Sequence, residues 1–207
     1  MKYLILIALT FLTVRNVKAE SKIPLQLSFS IGSISTSFSE SQDNLVSTDG
    51  TTSSSSSAFS GTASSMPLDL TVEYFANLKR SYFIKLQGPM IASSNDRYFS
   101  ANFGINFYFS SVGATAKVSD YNFQMKLIPK LRYYAGPILG AGYLVYSTKS
   151  AEKNDVLFEI GGVGGVIYSL NSRWGLKGEI GFSRGVGVLV SSTIIKILLG
   201  TTYTIGD

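Results

Sequence analysis

The 207 residues leave room for one domain of ordinary size and include neither cysteine nor histidine. The first absence excludes disulfides, thiol nucleophiles, iron–sulfur clusters and thiolate zinc sites. The second excludes a Ser–His–Asp triad, His-ligated metals and imidazole acid–base pairs. Charged residues are 15 %, well under the roughly 25 % of an average soluble domain, while 20 glycines, 13 Phe and 12 Tyr stand out.

The formal charge of +5 is partly a property of the N-terminus. Lys2 begins a segment in which Tyr3 to Val14 is a twelve-residue apolar stretch and Val17-Lys18-Ala19 sets small residues before a cut. This predicts a signal peptide over 1–19, cleaved near Ala19, because the apolar stretch is too short for a spanning helix. Without Lys2, Arg15 and Lys18 the chain keeps 15 basic against 13 acidic groups. No basic run interleaved with aromatics survives in it, which argues against nucleic acid as a partner.

From residue 20 onward, alternation with a period of two recurs, the signature of a strand. Leu25, Leu27, Phe29 and Ile31 share one face, then Leu68, Leu70, Val72 and Tyr74, then Tyr82, Ile84 and Leu86. The clearest run is Phe99, Ala101, Phe103, Ile105, Phe107 and Phe109. A fifth strand carries Leu131 to Val145, with Pro129 and Pro137 suggesting a bulge or an irregular start. Phe158 to Leu170, Trp174 to Phe182 and Ile195 to Ile205 complete eight. A Ser/Thr-rich connection over 39–66, without apolar periodicity, reads as a long polar loop. Long connections are expected after the third, fifth and seventh strands, and only the fourth, near Ser110 to Tyr121, breaks a long–short alternation.

Eight antiparallel strands close into an up-and-down barrel, which removes the sheet edges. The apolar faces then have two destinations: a ligand cavity, as in a lipocalin-like carrier, or lipid. Several strands are long enough to cross a bilayer, aromatics gather towards strand ends, and the surface charge of a soluble cup is missing. These features favour a transmembrane β-barrel over residues 20–207. In the carrier alternative Leu27, Phe29, Phe103, Phe107 and Leu199 would line the cavity.

Arg132-Tyr133-Tyr134-Ala135-Gly136-Pro137 with Gly140-Ala141-Gly142 resembles a strand of the small outer-membrane β-barrel family. So does the run from Gly161 to Glu179, which matches the pattern of the eight-stranded domain of outer-membrane protein A and its relatives. Gly200, Tyr203 and Ile205 resemble the family's C-terminal assembly signal, with departures at Leu198 and at Gly206-Asp207. The resemblance is best over 130–205. It implies a monomer in the outer membrane of a Gram-negative-type cell, partnered by outer-membrane lipid and by the barrel-assembly and periplasmic chaperone machinery. Adhesion, host contact and membrane integrity are the roles it leaves open, with the loops as the route to an extracellular partner.

If the apolar faces meet lipid, the polar faces direct Asp69, Glu73, Lys85, Lys130, Arg132, Glu159, Lys177, Glu179 and Lys196 into the lumen. Opposite signs are expected to pair there, since an unpaired buried charge costs several kcal/mol. The readings are a lumen filled by structural ion pairs, a narrow porin-like channel, and a carboxylate pair in catalysis. The last is the weakest, because enzymes of this general shape lean on histidine. Neither cofactor nor metal is expected. Gly161-Gly162-Val163-Gly164-Gly165 lacks the Lys-Ser/Thr of a phosphate loop and lies inside a strand, so small residues that let a barrel wall curve explain it better.

Overall fold

The computed structural model describes residues 25–40, 60–77, 79–92, 97–109, 116–120, 123–127, 129–147 and 152–205. The expected signal peptide, over 1–19, lies outside them. Ten strands follow in chain order: β1 (Leu25–Glu40), β2 (Ser60–Asn77), β3 (Arg80–Ala92), β4 (Arg97–Tyr108), β5 (Ala116–Asp120), β6 (Phe123–Leu127), β7 (Leu131–Ser147), β8 (Glu152–Ser169), β9 (Trp174–Val186) and β10 (Val190–Ile205). Eight of them form a closed barrel in the order β1-β10-β9-β8-β7-β4-β3-β2, every neighbour antiparallel, while β5 and β6 pair only with each other.

The register fixes the geometry of the ring. Starting at Ser37 and stepping through Thr193, Arg184, Ile160, Leu139, Phe103, Ile84 and Val72, the ladder returns to β1 at Leu27, ten residues displaced. With about 3.3 Å per residue and 4.8 Å between strands, a shear of ten over eight strands tilts them by about 40°.

Each apolar face recognised in the sequence points outwards. Phe103, Ile160, Ile180, Ile197 and Leu199 are all more than half exposed, an apolar exterior that no water-soluble barrel of this size presents. The carrier alternative is corrected here. Phe29, Phe103, Phe107 and Leu199 stand on the outer wall and are exposed, so they line no internal cavity. A closed ladder explains how such a wall can sit in lipid, because no strand of the barrel is left with a free edge of unpaired N–H and C=O groups.

Three details differ from the sequence expectation. First, strand pairing continues into stretches without apolar periodicity. β1 runs to Glu40 and β2 starts at Ser60, so the first connection outside the strands spans 41–59 rather than 39–66. At the same end the others shrink to 93–96, 148–151 and 187–189. Ser and Thr carry no hydrophobic signal, yet they fit a ladder once a partner strand lies alongside. Second, Pro137 sits inside β7 without a bulge: Ile138 faces Gly104 and Ala135 faces Phe107 in one unbroken register. Proline's fixed φ falls within the range a strand accepts. The bulges lie instead in the β2–β3 pair, one of them where Pro67 meets Pro89. Third, not all aromatics near strand ends face lipid: Phe75, Tyr98, Tyr108 and Tyr146 are buried inside the barrel. Tyr74, Tyr82, Phe107, Tyr168 and Trp174 do lie outwards, at the end where the short β2–β3 and β8–β9 turns lie (the turn end).

Replacement of outward Ile197 by Arg is expected to destabilise the vesicle-inserted barrel by about 2–4 kcal/mol if that position faces the bilayer midplane. Urea unfolding in vesicles measures it, and an unchanged midpoint would place Ile197 in water.

Candidate functional site

Alternation along each strand gives the lumen its side chains. Of the nine charged residues read from the sequence, eight are buried inside: Asp69, Glu73, Glu159 and Glu179 against Lys85, Arg132, Lys177 and Lys196. The set is balanced, four acids to four bases. Lys130 is the exception and a correction: it lies at a bend before β7 begins, where the regular in–out alternation of the strand no longer sets its side chain, and it is exposed. Asp155, not anticipated, is buried on β8. Its carboxylate accepts the N–H groups of Leu189 (2.8 Å) and Val190 (3.0 Å), which fixes the β9–β10 turn.

Four carboxylates organise the network. Glu179 receives Lys177 Nζ at 3.0 Å, the Tyr134 hydroxyl at 2.7 Å and Lys85. Asp69 accepts from Thr71 Oγ1 (2.9 Å) and Gln87 Nε2 (2.8 Å), with Lys85 Nζ at 4.0 Å. Gln87 links this centre onwards, its Oε1 accepting from Lys196 Nζ (2.6 Å) and Ser100 Oγ (3.0 Å). Lys196 in turn lies 3.8 Å from Glu159, which also accepts from the Tyr98 hydroxyl. A separate centre surrounds Glu73, which accepts from Tyr108 (2.8 Å), Asn106 (2.9 Å), Gln26 (3.3 Å) and Ser81.

The neutral partners here (Tyr98, Tyr108, Tyr134, Gln87, Asn106) were not singled out as site residues. Parity was the signal that would have found them, since Tyr134 is two residues from Arg132, and Asn106 and Tyr108 share the polar face of β4. Apolar side chains of the same parity were missed as well. Ile34, Phe38, Tyr98, Leu144, Leu157 and Ile194 belong to one buried cluster, and Phe75, Phe83, Tyr108, Tyr134, Ile138 and Ile167 to another. The first gathers where β1, β7, β8 and β10 approach the end with the 41–59 and 187–189 connections (the loop end). The second holds Phe75 and Tyr108, at the turn ends of β2 and β4.

Glycines make room for this filling. A Cβ on Gly165 would stand 2.5 Å from the Tyr134 hydroxyl, and one on Gly142 would stand 2.9 Å from the Tyr98 ring. Gly142 and Gly165 are therefore packing positions, whereas a Cβ on Gly162 or Gly164 would meet only ordinary van der Waals contact. In the C-terminal strand, Gly200 faces Ser30 across the closing ladder, and Ile205 is exposed on the outer wall. The ring of Tyr203 lies 4.8 Å from that of Trp174.

Glu179→Gln removes the charge that holds Lys85 and Lys177, and is expected to cost about 3–5 kcal/mol of unfolding free energy, as breaking a buried pair does. Gly165→Ala is expected to destabilise too, by displacing Tyr134 from Glu179. Denaturant titrations of each variant in micelles measure both.

No family model and no curated protein sequence matches the chain. Solved structures do. Neisserial surface protein A aligns with a TM-score of 0.51 at 12 % identity, over 84 % of this chain and 96 % of that one. The outer membrane protein OprG from Pseudomonas aeruginosa aligns with a TM-score of 0.51 at 11 % identity, over 93 % of this chain and all of that one. At such identities the likeness is one of fold, and it agrees with the closed antiparallel ring. The chain has the fold of the small eight-stranded outer-membrane β-barrels.

Proposed function

We propose that the protein resides in the outer membrane as a monomeric barrel that passes no solute, and that its work is structural or is surface contact made through the loop-end connections. The observation that carries this reading is the interior. Asp69, Glu73, Glu159 and Glu179 face Lys85, Arg132, Lys177 and Lys196, Asp155 nearer the loop end is held by the Leu189 and Val190 N–H groups, and an apolar cluster adjoins the charges towards each end. A solute entering would have to displace Leu144, Leu157 and Ile194 and then break ion pairs in a medium of low dielectric, which nothing in a passing ion repays. The narrow porin-like alternative needs both clusters to part. A non-enzymatic role is favoured by the same geometry, since each lumen carboxylate is committed to structural partners and lies where no substrate reaches it. Gly200, Tyr203 and Ile205, on the strand that closes the ring, suit recognition by barrel-assembly and chaperone machinery before closure.

In planar bilayers the mature chain is expected to give no discrete conductance steps, and neither are Glu159→Gln or Lys196→Gln. Steps in the parent that these substitutions alter would establish a pore instead. On intact cells, added protease is expected to cut the 41–59 connection and leave the barrel whole. Complete protection of that connection would contradict surface contact through it.

A further inference from the structure

The two ends of the barrel differ in charge. At the loop end the exposed described charges are mixed: Arg97, Lys153 and Arg184 with Glu152. At the turn end the exposed described charges outside the β5–β6 hairpin are all basic: Lys79, Arg80, Lys130 and Arg173, while Arg132 and Glu73 near the same end point into the lumen.

Their placement is regular. The carbonyl of Lys79 accepts the Tyr108 N–H at 2.9 Å, that of Lys130 the Ser169 N–H at 2.7 Å, and that of Arg173 the Thr204 N–H at 2.8 Å. Each therefore sits on a terminal rung of the ladder, at the foot of β3, β7 and β9 in turn. An outward aromatic follows each within a few residues: Tyr82 after Arg80, Tyr133 after Lys130, Trp174 after Arg173. The Arg80 guanidinium also lies 5.5 Å from the centre of the Phe107 ring.

Amphipathic rings in this position settle at the level of lipid headgroups. A cation at the strand foot, one to three residues beyond such a ring, is then held at phosphate depth, where ammonium and guanidinium donors form charge-assisted hydrogen bonds.

We propose that Lys79, Arg80, Lys130 and Arg173 form a collar that docks on the anionic phospholipid headgroups of the leaflet at the turn end. Two features select this occupant over a soluble acidic partner. The collar has the complementary charge, and it continues the lipid-facing wall without a break, so headgroups already touch the ring of aromatics beside it. The inference rests on the membrane-barrel reading above.

Trp174 is the one tryptophan in the sequence and adjoins Arg173, which makes it a built-in probe. The mature chain is inserted into phosphatidylcholine vesicles containing the same mole fraction of either phosphatidylglycerol or phosphatidylcholine with brominated chains, and Trp174 quenching is compared. Brominated phosphatidylglycerol is expected to show about twofold or greater relative association. The ratio should fall to one in the variant Lys79→Gln/Arg80→Gln/Lys130→Gln/Arg173→Gln and survive in the loop-end control Arg97→Gln/Arg184→Gln. Comparing two lipids on the same variant cancels any change in the intrinsic emission of Trp174.

Equal quenching in the parent would overturn the proposal and leave the collar to a soluble acidic partner. So would a preference that survives in the collar variant, or one that vanishes equally in the control, which would make it an effect of net charge. Absence of quenching by either lipid would overturn the membrane reading itself, an outcome distinct from equal quenching by both.

Discussion

Closure of the ring by β1 and β10 is the constraint on which everything else depends. The two strands pair continuously from Leu25 with Ile205 to Glu40 with Val190. In lipid no water is present to satisfy an open edge, so an eight-stranded sheet with a free edge would carry a row of unpaired N–H and C=O groups. Once the ring closes with a shear of ten, the strand tilt and the width of the lumen follow. An eight-stranded ring of this kind is just wide enough for its own side chains to fill it, and every inward residue must then find its partner within that space.

The contents of the lumen answer that demand in two ways. Four acids meet four bases, each of those carboxylates with cations or hydroxyls in reach, and the fifth buried acid, Asp155, accepts two backbone N–H groups, so desolvation is offset by pairing instead of by water. Towards either end the filling becomes apolar, with Leu144, Leu157 and Ile194 in one cluster and Phe75, Phe83 and Ile167 in the other. Glycine is what makes the pairing geometry attainable: Tyr134 reaches Glu179 because Gly165 offers no side chain in its path. Alternation sets the faces, closure sets the width, and the width decides which residues must be small.

How far this could be read from the sequence depended on the physical signal. Period-two alternation is strong wherever one face is apolar, so all eight barrel strands and their outward faces were legible, down to Phe103 and Leu199. The lumen charges followed by parity, with Lys130 misplaced because parity was extended past the point where β7 begins. Strand ends were hidden wherever the outward face turns polar, as for Ser33, Ser35, Ser37 and Ser39 on β1, whose inward neighbours Ile34 and Phe38 fall on the face read as polar. There the ladder is set by partner strands far away in sequence, which no local pattern reveals. The β5–β6 hairpin, between two barrel strands, gave no signal beyond a connection longer than expected. Inward apolar residues such as Ile34, Leu144 and Ile194 were missed because a face read as polar conceals the apolar members among its own parity.

The most direct test of the central claim, a closed barrel with lipid outside and paired charges within, is electrophoretic. The mature chain would be folded in detergent and run on a denaturing gel with and without boiling. A faster-migrating band in the unboiled sample, from a protein that is insoluble without detergent, is the result this account requires. A protein that stays in solution without detergent and migrates identically in both lanes would contradict it, since its apolar faces would then have to point inwards.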